Sequence, residues 1–129
     1  GLRHAYPSQI SGGQRQRTAI ARTLILQPDV LLMDEPFSSL DALTREDLQD
    51  LVVELVAETG LTTVLVTHNV EEAAFLGRRI LVLGQPPTTR PHVIDNDAAG
   101  TPGYRQQPSC WQKCAELRAA LASSRLPQK

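Results

Sequence analysis

Residues 27–41 read QPDVLLMDEPFSSLD, an apolar run that ends abruptly in two adjacent carboxylates, a proline and a short polar turn. Val30, Leu31, Leu32 and Met33 do not alternate with polar residues. That pattern predicts a strand covered on both faces, the usual state of a parallel strand inside an α/β sheet. Asp34 and Glu35 then fall at its carboxyl end, the edge of an open α/β sheet where ligands bind because the loops leaving the strands converge there. A pair so placed has the chemistry to hold a magnesium ion with one carboxylate and activate water with the other. A lone Asp-Glu pair is more often a helix cap or solvated surface, so its neighbours decide the reading.

The 129 residues bound the chain to one domain at most, with a modest core. A formal net charge of -1 gives no basic field, so nucleic acid is not the expected partner. No apolar run approaches the roughly 20 residues needed to cross a bilayer, and no signal peptide is read. Cys110 and Cys114 lie one helical turn apart with no second pair to complete a zinc site. They read as free thiols in a reducing compartment.

Upstream, Tyr6-Pro7-Ser8-Gln9 predicts an extended approach, because proline disfavours helix in the residue before it. Ser11 and Gln14 have capping-box spacing and predict a helix that runs to about Leu26 and is ended by Pro28. Gly12 and Gly13 at the helix start cost backbone entropy that a purely structural cap does not require. They permit close approach of another molecule to N–H groups at the positive helix end, which is a phosphate site; a flexible turn is the plainer alternative. Arg15, Arg17 and Arg22 could steer phosphate, but solvated or salt-bridged surface is the simpler reading.

Downstream, Leu48, Leu51, Val52 and Leu55 recur at helical spacing between Asp41 and Thr59, with Thr44 and Asp47 as a capping pair and Gly60 as the stop. TTVLVT, residues 62–67, predicts a second buried strand that delivers His68 to the same edge. Asn69 suits the cap of a helix over Val70 to Leu76, and Ile80 to Leu83 reads as a third strand. Helix and strand alternate, predicting an α/β fold of parallel strands with crossover helices. From Gln85 to Pro108 prolines break any period, predicting a Pro-rich linker or arm. Ser109 and Gln112 repeat the capping spacing, and Cys110, Cys114, Leu117 and Leu121 form one stripe on a terminal helix over 109–126.

In this order the motifs resemble the carboxyl-terminal part of the nucleotide-binding subunit of an ATP-binding cassette (ABC) transporter. Ile10-Ser11-Gly12-Gly13-Gln14 is similar to that family's signature motif, with isoleucine for the more usual leucine, and VLLMDE is similar to its Walker B strand. SSLD, residues 38–41, looks like the D-loop and Thr67-His68 like the switch histidine. The resemblance covers residues 1–84. DEPFSSLDALTREDLQ and THNVEEAAFLGRRILVL resemble importers for nitrate, sulfonates, taurine and related small solutes, and PSCWQKCAELRAAL is loosely similar to that group's terminal helix. Gly84-Gln85-Pro86-Pro87-Thr88 departs from the Arg-Pro-Gly turn usual there, which weakens the match for the tail.

The resemblance implies roles by position. Asp34 holds Mg2+ through its water shell, Glu35 polarises the attacking water, and His68 contacts the γ-phosphate. Ser11, Gly12, Gly13 and Gln14 bind ATP held mainly by a second ATP-binding subunit, and Asp41 links the two sites. Permease subunits in the membrane and a solute-binding protein are the further partners, with the subunit on the cytoplasmic face of the membrane. The phosphate-cradling G-x-x-x-x-G-K-[ST] loop is absent, since the only lysines are Lys113 and Lys129. The expectation is a partial P-loop NTPase domain lacking the P-loop strand, a fragment inactive alone because the P-loop lysine is absent. The alternative is a non-catalytic module that lends its signature to, or regulates, an intact partner. A DNA-repair ATPase fits poorly because no coiled-coil heptads occur.

Overall fold

In the computed structural model, residues 5–84, 86 and 91–124 are described, and the chain divides into two compact units, up to Val66 and from Thr67. The first unit holds α1 (Gly12–Leu24), β1 (Val30–Asp34), α2 (Ala42–Thr59) and β2 (Thr62–Val66). The strands pair in parallel, with Leu31 beside Thr63 and Asp34 beside Val66. This is the predicted crossover, strand to helix to adjacent parallel strand. Residues Pro7–Gln9, expected to be extended, instead form one 3-10 turn, closed by the Gln9 N–H on the Tyr6 carbonyl.

Helix α1 starts where the Ser11 and Gln14 pattern places it. Gln14 N donates to Ser11 Oγ at 3.2 Å and Ser11 N donates to Gln14 Oε1 at 2.9 Å, so the otherwise orphaned N–H of each residue is satisfied by the side chain of the other. Helix α2 corrects the expectation. Its cap is Asp41, one turn before the predicted Thr44 and Asp47 pair, and Thr44 donates to that cap. At the far end Gly60 adopts φ 65, the left-handed conformation that closes a helix at least cost when no Cβ is present.

The strands also correct the prediction of cover on both faces. Burial alternates along β1: Leu31 and Met33 are buried while Leu32 is 73% exposed. Val64, the partner of Leu32 on β2, is 48% exposed. An uninterrupted apolar run shows that both faces could be covered, but this unit has two helices, and they leave one face open. Its buried apolar side chains are Ile20, Leu31, Met33, Phe37, Leu40, Leu48 and Val52.

The second unit contains α3 (Val70–Leu76), β3 (Arg79–Val82), β4 (His92–Asp95) and α4 (Pro108–Ser124). The predicted third strand exists, but it pairs antiparallel with β4 in a separate two-stranded sheet, Ile80 beside Ile94. The parallel expectation failed here because β4 was hidden by the prolines around it. The region read as an arm holds β4, a 3-10 turn at Tyr104–Gln106 and the buried side chains Ile94, Asn96, Ala99 and Tyr104. Gln85 and residues 87–90 of that stretch lie outside the described residues, as do residues 1–4 and the end of the expected terminal helix after Ser124. Helix α4 buries Cys110, Cys114 and Leu117 of the predicted stripe, while Leu121 is half-buried. It starts at Pro108, and Ser109 Oγ lies on Gln107 Oε1 rather than in a box with Gln112. Among the described residues no helix is long and apolar enough to cross a membrane.

Candidate functional site

Asp34 is the last residue of β1 and is exposed. The next N–H, that of Glu35, extends the ladder by donating to the Val66 carbonyl at 2.8 Å. Glu35 then turns at φ 46, a left-handed backbone that costs a residue bearing a Cβ about 1 kcal/mol. The conformation is held from both sides, because the Glu35 carbonyl accepts from Ser38 Oγ at 3.0 Å and from Ser38 N at 3.3 Å. Phe37, fully buried, anchors the same turn. Strain that neighbours over-determine in this way clusters at functional sites.

The start of α1 is the second cluster. The capping box takes up the N–H groups of Ser11 and Gln14, and those of Gly12 and Gly13, which point out of the same helix end, are suited to an anion. Gly13 has an additional reason to be glycine. A Cβ there would meet Thr44 Cγ2 at 2.4 Å, and one on Gly12 would meet Leu40 Cδ2 at 3.3 Å. Sequence reasoning assigned both glycines to ligand approach or a flexible turn; Leu40, just before α2, and Thr44, in its first turn, pack against them as well. Arg15 is turned back, donating to the Ile10 carbonyl at 2.7 Å.

Asp41 stands at the join. Its Oδ2 accepts from Thr44 Oγ1 at 2.6 Å and its Oδ1 from Thr44 N at 3.1 Å. These bonds, the hydroxyl one foremost, hold the exposed Asp41 carboxyl below its ordinary value. The structure thus brings Asp41 and the Ser11 to Gln14 turn together through Thr44. The signal for Thr44 was present in the sequence as Asp-x-x-Thr spacing, but it was read with Thr44 as the cap.

His68 belongs to the second unit, exposed in the turn before α3. That turn is tightly specified. Thr67 Oγ1 donates to Glu72 Oε2 at 2.6 Å and accepts from Asn69 N at 3.0 Å, while Asn69 Oδ1 accepts from the Glu71 and Glu72 N–H groups. Glu72 is buried, and this bond explains how a carboxylate is tolerated there.

Among the described residues no three His, Cys, Asp or Glu side chains gather to hold a metal. A single exposed carboxylate at a strand end fits Mg2+, which keeps several waters and takes one or two carboxylates together with substrate phosphates.

Residues 2–38 match the ABC transporter family. An aliphatic sulfonates import ATP-binding protein of Xanthomonas axonopodis pv. citri is 53% identical over 89 residues, 69% of this chain and 35% of the relative. One of Pseudomonas syringae pv. tomato is 46% identical over 121 residues, 94% of this chain and 52% of the relative. The chain therefore spans about half or less of the length of these relatives. A dimeric ATP-binding cassette in a post-hydrolysis state bound to ADP and Pi superposes with a TM-score of 0.55 at 43% identity, covering 67% of this chain and 37% of that one. The fold is that of a partial ABC ATPase domain, α/β with parallel strands, and the chain belongs to the ABC transporter family.

Proposed function

We propose that this chain is part of the ATP-hydrolysing subunit of an importer, one that couples ATP hydrolysis to uptake of a small sulfonate or a related solute such as taurine or nitrate. The observation that carries the reading is the acidic pair at the end of β1, with Glu35 held at φ 46 by Val66 on one side and Ser38 on the other. A backbone fixed in this way keeps the Glu35 side chain at the strand end, where its carboxylate can act as a general base toward water. Asp34 supplies the anionic ligand for magnesium, which when bound neutralises charge on the phosphates. His68 acts as the γ-phosphate contact. Ser11, Gly12, Gly13 and Gln14 present the capped end of α1 to an ATP held by a second ATP-binding subunit, and Asp41 couples the two. Both sulfonate relatives are named as import ATP-binding proteins, which supports permease subunits and a solute-binding protein as partners and the inner face of the membrane as the location.

The test is ATP hydrolysis by the full-length polypeptide reconstituted with its permease, with and without an aliphatic sulfonate and its binding protein. Glu35→Gln is predicted to lower turnover by at least about 100-fold, in the range for a lost general base, while leaving ATP-dependent subunit dimerisation intact. Wild-type turnover by that variant removes the general-base assignment.

A further inference from the structure

One side chain touches both halves of the first unit's site, and it is not among the residues that carry the chemistry. Thr44 spends its hydroxyl on Asp41 Oδ2 at 2.6 Å and its N–H on Asp41 Oδ1 at 3.1 Å. Its methyl faces the other way: a Cβ on Gly13 would lie 2.4 Å from Thr44 Cγ2, so the two residues are in direct contact with no room for another carbon. Asp41 and Ser11 cap their helices with nearly the same backbone, φ -64 and ψ 164 against φ -66 and ψ 163. Thr44 therefore joins two capped helix ends, beside the contact of Leu40 with Gly12.

We propose that Thr44 is a positioning residue, its hydroxyl orienting the Asp41 carboxylate while its methyl, seated on Gly13, fixes the offset between the start of α1 and the start of α2. Each function needs one of the two branches of the side chain. Serine keeps the oxygen and loses the methyl; valine keeps the methyl volume and loses the oxygen. The β-branch also restricts χ1, so a threonine that bonds Asp41 has its methyl direction set. Displacement of Asp41 is thereby transmitted to the Ser11 to Gln14 turn through one rigid group. The inference rests on the reading of Asp41 and the Ser11 to Gln14 turn as parts of an ATP site.

The experiment uses Thr44→Val, Thr44→Ser, Gly13→Ala and the Gly13→Ala/Thr44→Ser pair in the full-length polypeptide, with its permease for turnover. Thr44→Val is predicted to lower kcat about tenfold, the effect of one hydrogen bond to a charged group, with KM for ATP changed less than about twofold. Thr44→Ser, which preserves that bond but loses the methyl seated on Gly13, lowers kcat less, by about threefold. Carboxyl NMR of Asp41 supplies a readout independent of turnover: its titration moves up toward the ordinary range in Thr44→Val and not in Thr44→Ser. Gly13→Ala lowers the unfolding temperature, and adding Thr44→Ser, which removes the clashing methyl, restores most of the loss. Wild-type kcat in Thr44→Val, or an Asp41 titration indifferent to the Thr44 hydroxyl, overturns the orienting role. A Gly13→Ala defect that Thr44→Ser does not relieve overturns the spacing role. A wild-type protein that hydrolyses no ATP fails at an earlier step and sinks the functional reading, with the titration and the stability pair still reporting on the geometry.

Discussion

Tyr104 donates its hydroxyl hydrogen to Asn96 Oδ1 at 2.7 Å, and both side chains are almost completely buried. Asn96 passes the connection on, its Nδ2 donating to the Ala74 carbonyl at 2.7 Å and to the Gly77 carbonyl at 3.2 Å, while its N–H bonds Arg78 O. The segment following β4 is thus tied to both ends of the turn after α3. Arg105 adds its guanidinium 3.8 Å over the Phe75 ring. Burial pushes the Tyr104 phenol up, so it remains a donor across the neutral range.

Tyr104→Phe is accordingly predicted to destabilise the second unit by about 1 to 3 kcal/mol, because it leaves Asn96 Oδ1 buried with its donor gone. Asn96→Ala strips two carbonyls of their donor and is expected to cost at least as much. Urea unfolding of the full-length polypeptide measures both. An unchanged midpoint in Tyr104→Phe would show that the network does not hold this region together.

This network also marks where the sequence stops being readable. Helix α1 and the α2 span are local facts: Ser11 and Gln14 are three residues apart, and Gly60 needs only its own backbone. Strand β1 with its carboxylates was legible because an apolar run ending in Asp34-Glu35 is a short-range pattern. Strand β4 was not, since HVID has one buried residue, Ile94, and is fixed by contacts with β3 and by bonds from Asn96 to residues 19 and 22 positions earlier. No periodicity window spans that distance. At the site, the apolar run and the capping spacing placed Asp34, Glu35 and Ser11 at element ends, the resemblance alone singled out Asp41, and the strain at Glu35 and the Thr44 contact to Gly13 required φ angles and distances.

The open face of β1 and β2 gives a second prediction. Val30, Leu32, Val64 and Val66 expose apolar surface on adjacent parallel strands, and such contiguous patches promote association. The 129-residue chain by itself is expected to self-associate as concentration rises. Leu32→Thr with Val64→Thr keeps β-branched or β-compatible side chains and should increase the soluble monomer fraction in sedimentation. Leu31→Thr, on the buried face, should instead lower stability by about 2 to 4 kcal/mol for an apolar side chain lost from the core. A chain that stays monomeric at all concentrations, with or without the exposed pair replaced, contradicts the first expectation.

Cys110 and Cys114 supply the last prediction. Both thiols are buried, and burial is the main cause that raises each above the ordinary thiol value of 9.0; Cys114 is pushed further by Cys110 and Glu71. The thiolate is the nucleophile, so a raised and shielded thiol reacts slowly. In the native protein both are predicted to label with a thiol reagent at least about tenfold more slowly than in denaturant at pH 8. The same shift links to stability with a definite sign. The folded form holds these protons more tightly than the unfolded form, so the contribution is fully present below pH 9 and is lost as pH rises through the folded values. Cys110→Ala/Cys114→Ala should therefore weaken the alkaline fall in the unfolding midpoint of the full-length polypeptide while leaving its acid side unchanged. Rapid native labelling, or an alkaline limb indifferent to both substitutions, would place the thiols outside the core that α4 forms with α3 and β3.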